Sequence, residues 1–210
     1  MADSSRESVL AAYNVSRETS QRLDILVAEL ARWQRIKNLV GPDTLAQVWT
    51  RHIADSLQLL AIEPQARIWL DLGSGAGFPG LVIAVALAGK GAEVHLVESN
   101  GRKCAFLRHA ARLTGAPARI HEARLEAVVA GFAGGIEVVT ARALAPLTQL
   151  LAWTEPLLKT GAVGLFPKGR EAQAELTAAA KSWRLDAELI PSRTDPSARI
   201  VRISALQEPA

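Results

Sequence analysis

Residues 69–80 constrain the fold of this chain more than any other segment. The segment begins as an apolar strand with one acid, Asp71, and then places glycine at positions 73, 75 and 77. Glycine adopts positive φ without strain and has no Cβ atom, so a ligand can approach the backbone of such a turn closely. Pro79 suits the first turn of a helix, which predicts a buried helix over 78–88. A strand, a glycine turn and a helix in this order predict a nucleoside-cofactor site.

The glycine turn fits two kinds of cofactor. Gly75, Gly77 and Gly80 have the spacing of a dinucleotide-binding turn, in which the helix N-terminus binds a pyrophosphate, but this match alone is weak. Read from Asp71, the acid followed by three alternate glycines resembles motif I of class I S-adenosylmethionine-dependent methyltransferases. In that family the turn surrounds the methionine end of the cofactor, which carries no phosphate. The resemblance implies that Asp71 accepts from the cofactor ammonium group, and we favour this interpretation because a carboxylate suits a cationic ligand.

A second acid follows the next predicted strand. Residues 93–98 alternate in polarity and end in Glu98, just before Ser99 and Asn100. A carboxylate about 20 residues beyond the glycine turn can accept hydrogen bonds from both ribose hydroxyls of an adenosine. Either cofactor would use Glu98 in this way. A solvated acid at a strand end is the alternative interpretation.

Composition bounds the class of protein. A chain of 210 residues that is 49% hydrophobic can bury a full core without disulfides or a structural metal. Cys104 is the single cysteine, no Cys and His residues have zinc-site spacing, and the first eight residues lack the apolar core of a signal peptide. The uncharged run 78–89 is too short to cross a bilayer. We expect a cytoplasmic protein with no membrane span and no metal site. The net charge of +3 is too small to diagnose nucleic-acid binding.

Apolar periodicity predicts an N-terminal helical extension followed by a sheet domain. Two helices are expected over 16–38 and 43–60, and Pro64 marks the boundary between residues 1–64 and the domain 65–210. Strands and helices then alternate, which predicts an α/β fold with a doubly wound, mostly parallel sheet. The predicted strands are 67–72, 93–98, 118–122, 136–140 and 162–167. A charged helix over 170–181 and a hairpin of strands 184–190 and 199–203 at the sheet edge complete the prediction.

Several further motifs resemble one family, the ribosomal RNA small-subunit methyltransferase G family, also called glucose-inhibited division protein B. The matching segments lie before the sheet, at the glycine turn and after the later strands, in the family order and spacing. They are residues 51–56, 70–80, 101–103, 106–108, 123–126, 141–143 and 168–169. The resemblance covers most of the chain and is weakest in the first thirty or so residues and the last strands. It implies a class I methyltransferase fold, Rossmann-like in its winding.

The resemblance also implies a reaction. It predicts transfer of a methyl group from S-adenosylmethionine to N7 of a guanine in the decoding-region loop of small-subunit (16S) ribosomal RNA, by a monomer that binds no DNA. The substrate would be the rRNA or the assembled small subunit. N7 carries a free lone pair and no proton, so attack on the sulfonium methyl requires alignment and no general base. The residues after the fourth strand, which include Thr140 and Arg142, contain neither an amine clamp nor a cysteine nucleophile. Cys104 is expected to pack in the hydrophobic core and not to act as a nucleophile.

Site residues follow from the matched motifs. The resemblance implies cofactor contacts from Gly73 and Phe78 at the turn, alongside Gly75 and Gly77, and from Leu125 and Glu126 on the adenine side. It also makes Arg142 a site residue, which we predict to be catalytic and to contact the cofactor. A guanidinium at the carboxyl end of a strand can pair with a carboxylate or an RNA phosphate, or donate to guanine O6. Because methylation gives the base a positive charge, we expect Arg142 to position the substrate. A structural ion pair is the alternative.

Predicted RNA contacts lie at four further positions. Arg51 and His52 match a family motif before the sheet and are expected to face the cofactor entrance or the RNA. Lys168 and Arg124 are expected to contact phosphates. His52 also has the spacing of a local helical pair with Asp55, and Lys168 is equally consistent with a solvated lysine.

Two functions from other classes compete with methyl transfer. A nicotinamide-dependent oxidoreductase would use the glycine turn for a pyrophosphate, but Tyr13 is the sole tyrosine, so no Tyr-x-x-x-Lys pair exists. We also expect no separate substrate domain after the sheet. The third possibility is a noncatalytic RNA-binding or assembly factor that keeps the basic surface and the cofactor fold.

Overall fold

The N-terminal segment is helical throughout most of its length. The computed structural model describes residues 4–35, 39 and 41–207, and its first helices are α1 (Ser4–Ala12) and α2 (Arg17–Gln34). The Ser16 side chain accepts from the amide of Thr19 at 3.2 Å and caps α2. The helix predicted over 16–38 ends at Gln34. Residues 36–38 of that prediction lie outside the described residues.

The second predicted helix, 43–60, is three helical segments of different pitch. A 3-10 helix spans Pro42–Gln47, a π-helix spans Trp49–Ala54 and α3 spans Asp55–Ile62. The segment is helical, as predicted, but apolar spacing does not distinguish these pitches over so few turns. Single π-helical turns are frequent at functional sites.

A seven-stranded sheet forms the centre of the molecule. Its order is β3-β2-β1-β4-β5-β7-β6; β1 to β5 are parallel, and β6 and β7 form an antiparallel hairpin at the edge. This confirms the predicted doubly wound, mostly parallel sheet. The strands are β1 (Ile68–Leu72), β2 (Glu93–Glu98), β3 (Ala118–Glu122), β4 (Val138–Ala141), β5 (Val163–Lys168), β6 (Arg184–Pro191) and β7 (Arg199–Gln207). The helices between them are α4 (Gly80–Ala86), α5 (Gly101–Thr114), α6 (Leu125–Val128), α7 (Leu147–Leu158) and α8 (Ala172–Ala179).

Three further elements differ from their predictions by several residues. Helix α4 begins at Gly80 rather than at residue 78, because Gly77 has φ +90° and the chain is still turning there. Helix α8 is shorter than the predicted 170–181. Strand β7 continues to Gln207 because it pairs with β6 along its whole length, a long-range effect that local polarity does not report.

Apolar residues fill both faces of the sheet. On one face Trp69 and Leu96 pack with the N-terminal helices, where Leu23, Leu26 and Leu30 are 0% exposed. Burial of each such leucine contributes about 1.5–3 kcal/mol. The opposite face packs against α7 and α8. Since one core joins the N-terminal helices to the sheet, the predicted domain boundary near residue 64 stays a prediction. Within the described ranges, no helix is long and apolar enough to cross a bilayer.

Candidate functional site

A cavity of about 1210 Å³ opens at the carboxyl ends of β1, β4 and β5. The strand order reverses between β1 and β4, and ligands of doubly wound sheets bind at such a switch point. The segments that line it include the glycine turn after β1, residues 47–55, which contain the π-helix, the loop after β4, the segment after β5 and the turn between β6 and β7. Their cavity-lining residues include Gly73, Ser74, Gly75, Ala76, Phe78, Arg142, Ala143, Leu144, Ala145, Pro146, Ser192, Thr194 and Asp195.

The glycine turn has the conformation that its sequence predicts. Gly73, Gly75 and Gly77 have φ values of +65°, +56° and +90°. A Cβ on Gly73 would lie 2.6 Å from Leu144 of the loop after β4, so no larger residue fits there. The turn therefore packs against the opposite wall and leaves its backbone accessible to a ligand.

Asp71 lies behind the turn rather than in the cavity. Its Oδ2 accepts from the amide of Gly80 at 3.1 Å, and the residue is 1% exposed. Burial raises the pKa of Asp71 to about 7, although the hydrogen bond from Gly80 opposes this shift. Direct contact with the ammonium group of a cofactor stays a prediction. This placement favours a supporting role, in which the acid joins β1 to the start of α4.

Glu98 holds the turn from the neighbouring strand. Its Oε2 accepts from the amide of Gly75 at 2.9 Å, and its Oε1 accepts from the amide of Asn100 at 2.8 Å. Each oxygen retains a second lone pair, so the residue fits the predicted contacts with ribose hydroxyls. Leu125 and Glu126 begin α6 at the same edge of the sheet, where the amide of Ala123 donates to the Glu98 carbonyl at 3.1 Å. This arrangement fits an adenosine. The contacts of Glu98 with the ribose and of Leu125 and Glu126 with the adenine stay predictions.

Arg142 is bound by the π-helix and the start of α3. Its Nη1 donates to Oδ2 of Asp55 at 3.0 Å and to the carbonyl of Arg51 at 2.9 Å, and its Nη2 donates to Nδ1 of His52 at 2.9 Å. The His52 ring stacks on Phe78 with centroids 4.5 Å apart. The fold thus brings together four predicted site residues from three separate segments. Two of the five guanidinium hydrogens remain for a ligand.

The contact with Arg142 fixes the protonation of His52. Arginine only donates, so Nδ1 must accept and the proton resides on Nε2. That Nε2 is buried and finds no partner within the part of the chain that the structure describes. Burial, with the charges of Arg142 and Arg51, lowers the pKa of His52 to about 4. A neutral, buried ring favours a supporting role over the predicted RNA contact.

The other predicted RNA contacts differ in placement. Arg51 is exposed and lines the cavity, as a residue that meets RNA should. Lys168 also lines the cavity, but its side chain is only 9% exposed and its Nζ donates to the Ala145 carbonyl and to Glu175, both at 2.7 Å. Those contacts favour a structural role for Lys168. Arg124 is exposed but lies outside the cavity wall.

Sequence reasoning missed two acids of the site. Asp55 was noticed only as a helical neighbour of His52, and Glu175 was not singled out. Both accept from residues that were predicted, Arg142 and Lys168. Their partners lie far away in sequence or on another element, and one unaligned sequence carries no signal for such pairs.

Cys104 occupies the interior, as expected. The residue is 0% exposed, its Sγ donates to the carbonyl of Glu98 at 3.3 Å, and burial raises the pKa of its thiol. These properties describe an inert core cysteine. Among the described residues, no three metal-ligating side chains lie close enough to hold an ion.

Comparison with known proteins identifies the family. The family model for rRNA small subunit methyltransferase G matches residues 19–197. The chain belongs to this family. Ribosomal RNA small subunit methyltransferase G of Methylobacterium radiotolerans is 65% identical over 210 residues, which cover 100% of this chain and 99% of that protein. The protein of the same name from Bradyrhizobium sp. BTAi1 is 53% identical over 203 residues, with coverages of 96% and 91%. The predicted family is therefore confirmed.

Solved structures confirm the predicted fold class. An SAH-bound methyltransferase of Podospora anserina aligns with a TM-score of 0.61 at 16% identity, covering 87% of this chain and 88% of its own. An O-methyltransferase of Bacillus cereus in complex with SAH gives 0.59 at 14% identity, with coverages of 85% and 90%. At these identities the likeness shows the fold. The methyltransferase class and the predicted cofactor, S-adenosylmethionine, are confirmed with the family assignment, which also excludes the oxidoreductase.

Proposed function

We propose that this protein transfers the methyl group of S-adenosylmethionine to N7 of a guanine in the decoding-region loop of 16S ribosomal RNA. The family assignment supports small-subunit rRNA as the substrate class. The choice of guanine N7 comes from the family resemblance, and the chemistry of the cavity wall is compatible with it. The enzyme acts as a cytoplasmic monomer that binds no DNA.

One observation supports N7, which the family resemblance implies: the side chain at the centre of the site is a fixed cation rather than a base or nucleophile. Arg142 is held by three hydrogen bonds, and the histidine beside it is neutral with Nδ1 already occupied. Cys104 is buried elsewhere. Attack by N7 removes no proton and forms no bond to the protein, so alignment is the requirement. An arrangement that only positions its substrate suits this reaction.

The cofactor fits the residues present. The backbone of Gly73 and Gly75 and the carboxylate of Glu98 would hold it, with Leu125 and Glu126 beside the adenine. S-adenosylmethionine supplies a sulfonium-bound methyl group that is already electrophilic. The Phe78 ring, on which His52 stacks with centroids 4.5 Å apart, would give the bound methyl donor an apolar surface. Gly73, Gly75 and Phe78 line the cavity, whereas Glu98, Leu125 and Glu126 lie outside its wall, so the methionine end of the cofactor would face the cavity and the adenosine would lie beyond it.

Arg142 orients the base. Its two free guanidinium hydrogens can donate to guanine O6 or to an adjacent phosphate. Arg51, exposed at the cavity mouth, supplies a further positive charge for the RNA backbone. Contacts of His52, Lys168 and Arg124 with RNA belong to the same proposal, although the first two are engaged within the protein.

Methyl transfer can be mapped directly. The protein is incubated with radiolabelled S-adenosylmethionine and small subunits, or protein-free 16S rRNA, from a strain that lacks the corresponding gene. We expect label in one guanine of the decoding-region loop, released as 7-methylguanine on digestion. Label at another atom or nucleotide contradicts the proposal. Binding of S-adenosylhomocysteine without any transfer to either substrate would indicate a noncatalytic RNA-binding factor instead.

A further inference from the structure

The loop after β4 contains a residue that needs external support. Ala143 has φ +53°, a left-handed conformation that is strained for a residue with a Cβ. It stands between Arg142 and Leu144 in the cavity wall. Such conformations persist where the surroundings hold the backbone firmly. The contacts at the two ends of this loop therefore determine the orientation of the Arg142 side chain in the cavity wall.

The far end of the loop is held without Arg142. Lys168 Nζ donates to the Ala145 carbonyl at 2.7 Å, and Glu175 Oε2 accepts from the Leu147 amide at 2.6 Å. Neither contact involves Asp55 or Arg142. Lys168 and Glu175 also pair with each other at 2.7 Å. This end stays fixed whatever happens to the guanidinium.

The near end depends on Asp55. Its Oδ2 accepts from Arg142 at 3.0 Å, and its Oδ1 accepts from Gln58 Nε2 at 2.8 Å and from Thr194 Oγ1 at 2.9 Å. The side chains of Asp55 and Arg142 are only 18% and 21% exposed. One carboxylate thus joins α3, the loop after β4 and the turn between β6 and β7. The three donors hold the carboxylate in one orientation.

We propose that Asp55 is the positioning residue for Arg142 in methyl transfer. The proposal rests on the function proposed above for Arg142. Asp55 fixes the guanidinium plane so that its two free hydrogens meet the base at one angle. Its negative charge also offsets the positive charge of Arg142, which would otherwise oppose the charge that the base gains on methylation. Asp55 acts through Arg142 and touches neither substrate nor cofactor.

Asp55→Asn tests the proposal with little change of shape. An asparagine offers one acceptor oxygen, so it cannot serve both Arg142 and the donors Gln58 and Thr194. We expect kcat to fall about 10²-fold, the loss typical of a misplaced reacting geometry, while KM for RNA and the affinity for S-adenosylhomocysteine stay near wild type. Loss confined to KM, or wild-type kcat, overturns the proposal.

A matched control separates positioning from stability. Glu63 pairs with Arg202 at 2.7 Å, and their side chains are 23% and 27% exposed, close to the values for Asp55 and Arg142. Glu63 does not line the cavity. Glu63→Gln should lower the midpoint of urea unfolding by an amount similar to Asp55→Asn and leave kcat unchanged. An equal loss of kcat in both variants would show that Asp55 matters only for stability.

A double variant tests whether Asp55 acts through Arg142. On an Arg142→Ala background, Asp55→Asn should slow turnover no further, because the group it positions is gone. Additive losses contradict the proposal, and full activity of Arg142→Ala overturns it outright. If the wild-type product is not 7-methylguanine but the two losses remain non-additive, the proposed function fails while this inference stands.

Discussion

The amide of Gly80 donates to Oδ2 of Asp71 at 3.1 Å, and the same carboxylate leaves no space for a side chain at position 80. A Cβ on Gly80 would lie 2.6 Å from that oxygen, and both residues are buried. The acid at the end of β1 and the first residue of α4 therefore fix the glycine turn between them.

Gly80→Ala should destabilise the protein and weaken cofactor binding together. The new methyl group must displace Asp71 or α4, and overpacking of this kind costs about 1–3 kcal/mol. Urea unfolding gives the stability, and calorimetry gives the affinity for S-adenosylhomocysteine. Gly131→Ala is the control, because that glycine is exposed with no atom within 4 Å of a Cβ. Unchanged affinity in Gly80→Ala would show that the turn does not depend on this contact.

Because of Asp71, we expect the free energy of unfolding to fall as pH rises, which is the opposite of the usual effect of a carboxyl group. Burial raises its pKa from 3.8 to about 7, so the folded state binds the proton more tightly than the unfolded state. This contribution is fully present below the unfolded pKa and is lost as pH rises through the folded one. Relative to Asp71→Asn, the wild type should lose on the order of 3–4 kcal/mol of unfolding free energy between about pH 4 and pH 7. A constant difference across that range contradicts the prediction.

His52 gives the opposite dependence. Burial, Arg142 and Arg51 lower its pKa from 6.5 to about 4, so protonation favours the unfolded state. The contribution is present above the unfolded pKa and is lost as pH falls from 6.5 toward 4. His52→Asn keeps an acceptor for Arg142 but does not titrate. We expect the wild type to lose about 2 kcal/mol relative to this variant as pH falls through that range, measured by urea unfolding. Parallel profiles would mean that His52 is not buried as a neutral ring.

Arg142→Ala should keep the fold and lose most of its turnover. We expect kcat for rRNA methylation to fall about 10²-fold, because the base loses its orienting donor. Circular dichroism and urea unfolding check the fold. Arg202→Ala removes a comparable ion pair with Glu63 outside the cavity and should retain kcat. Arg142→Lys keeps the charge but cannot reach three partners at once, so it should restore little activity.

The sequence predicted the sheet well because its signals are local. Alternation of polarity gave β2 and β3 with the bounds that the structure shows, and the positive φ values at Gly73 and Gly75 follow from the absence of a Cβ. Pitch was not predictable in the segment before α3, where a π-helix replaces the expected α-helix. The π-helix places Arg51 and His52 against the loop after β4. That loop is distant along the chain, so the local sequence does not report the contact.

The sequence by itself determined the order of strands and helices, the glycine turn and the family, since each depends on residues close together along the chain. Only the tertiary structure decided what the site residues do. It buried Asp71 behind the turn, paired Lys168 with Glu175 and joined Arg142 to Asp55, 87 positions away. Those contacts, and the protonation of His52 that follows from them, depend on how the layers pack. The burial of a side chain and its distance from a partner arise when the layers pack. They cannot be inferred from the residues next to it in the sequence.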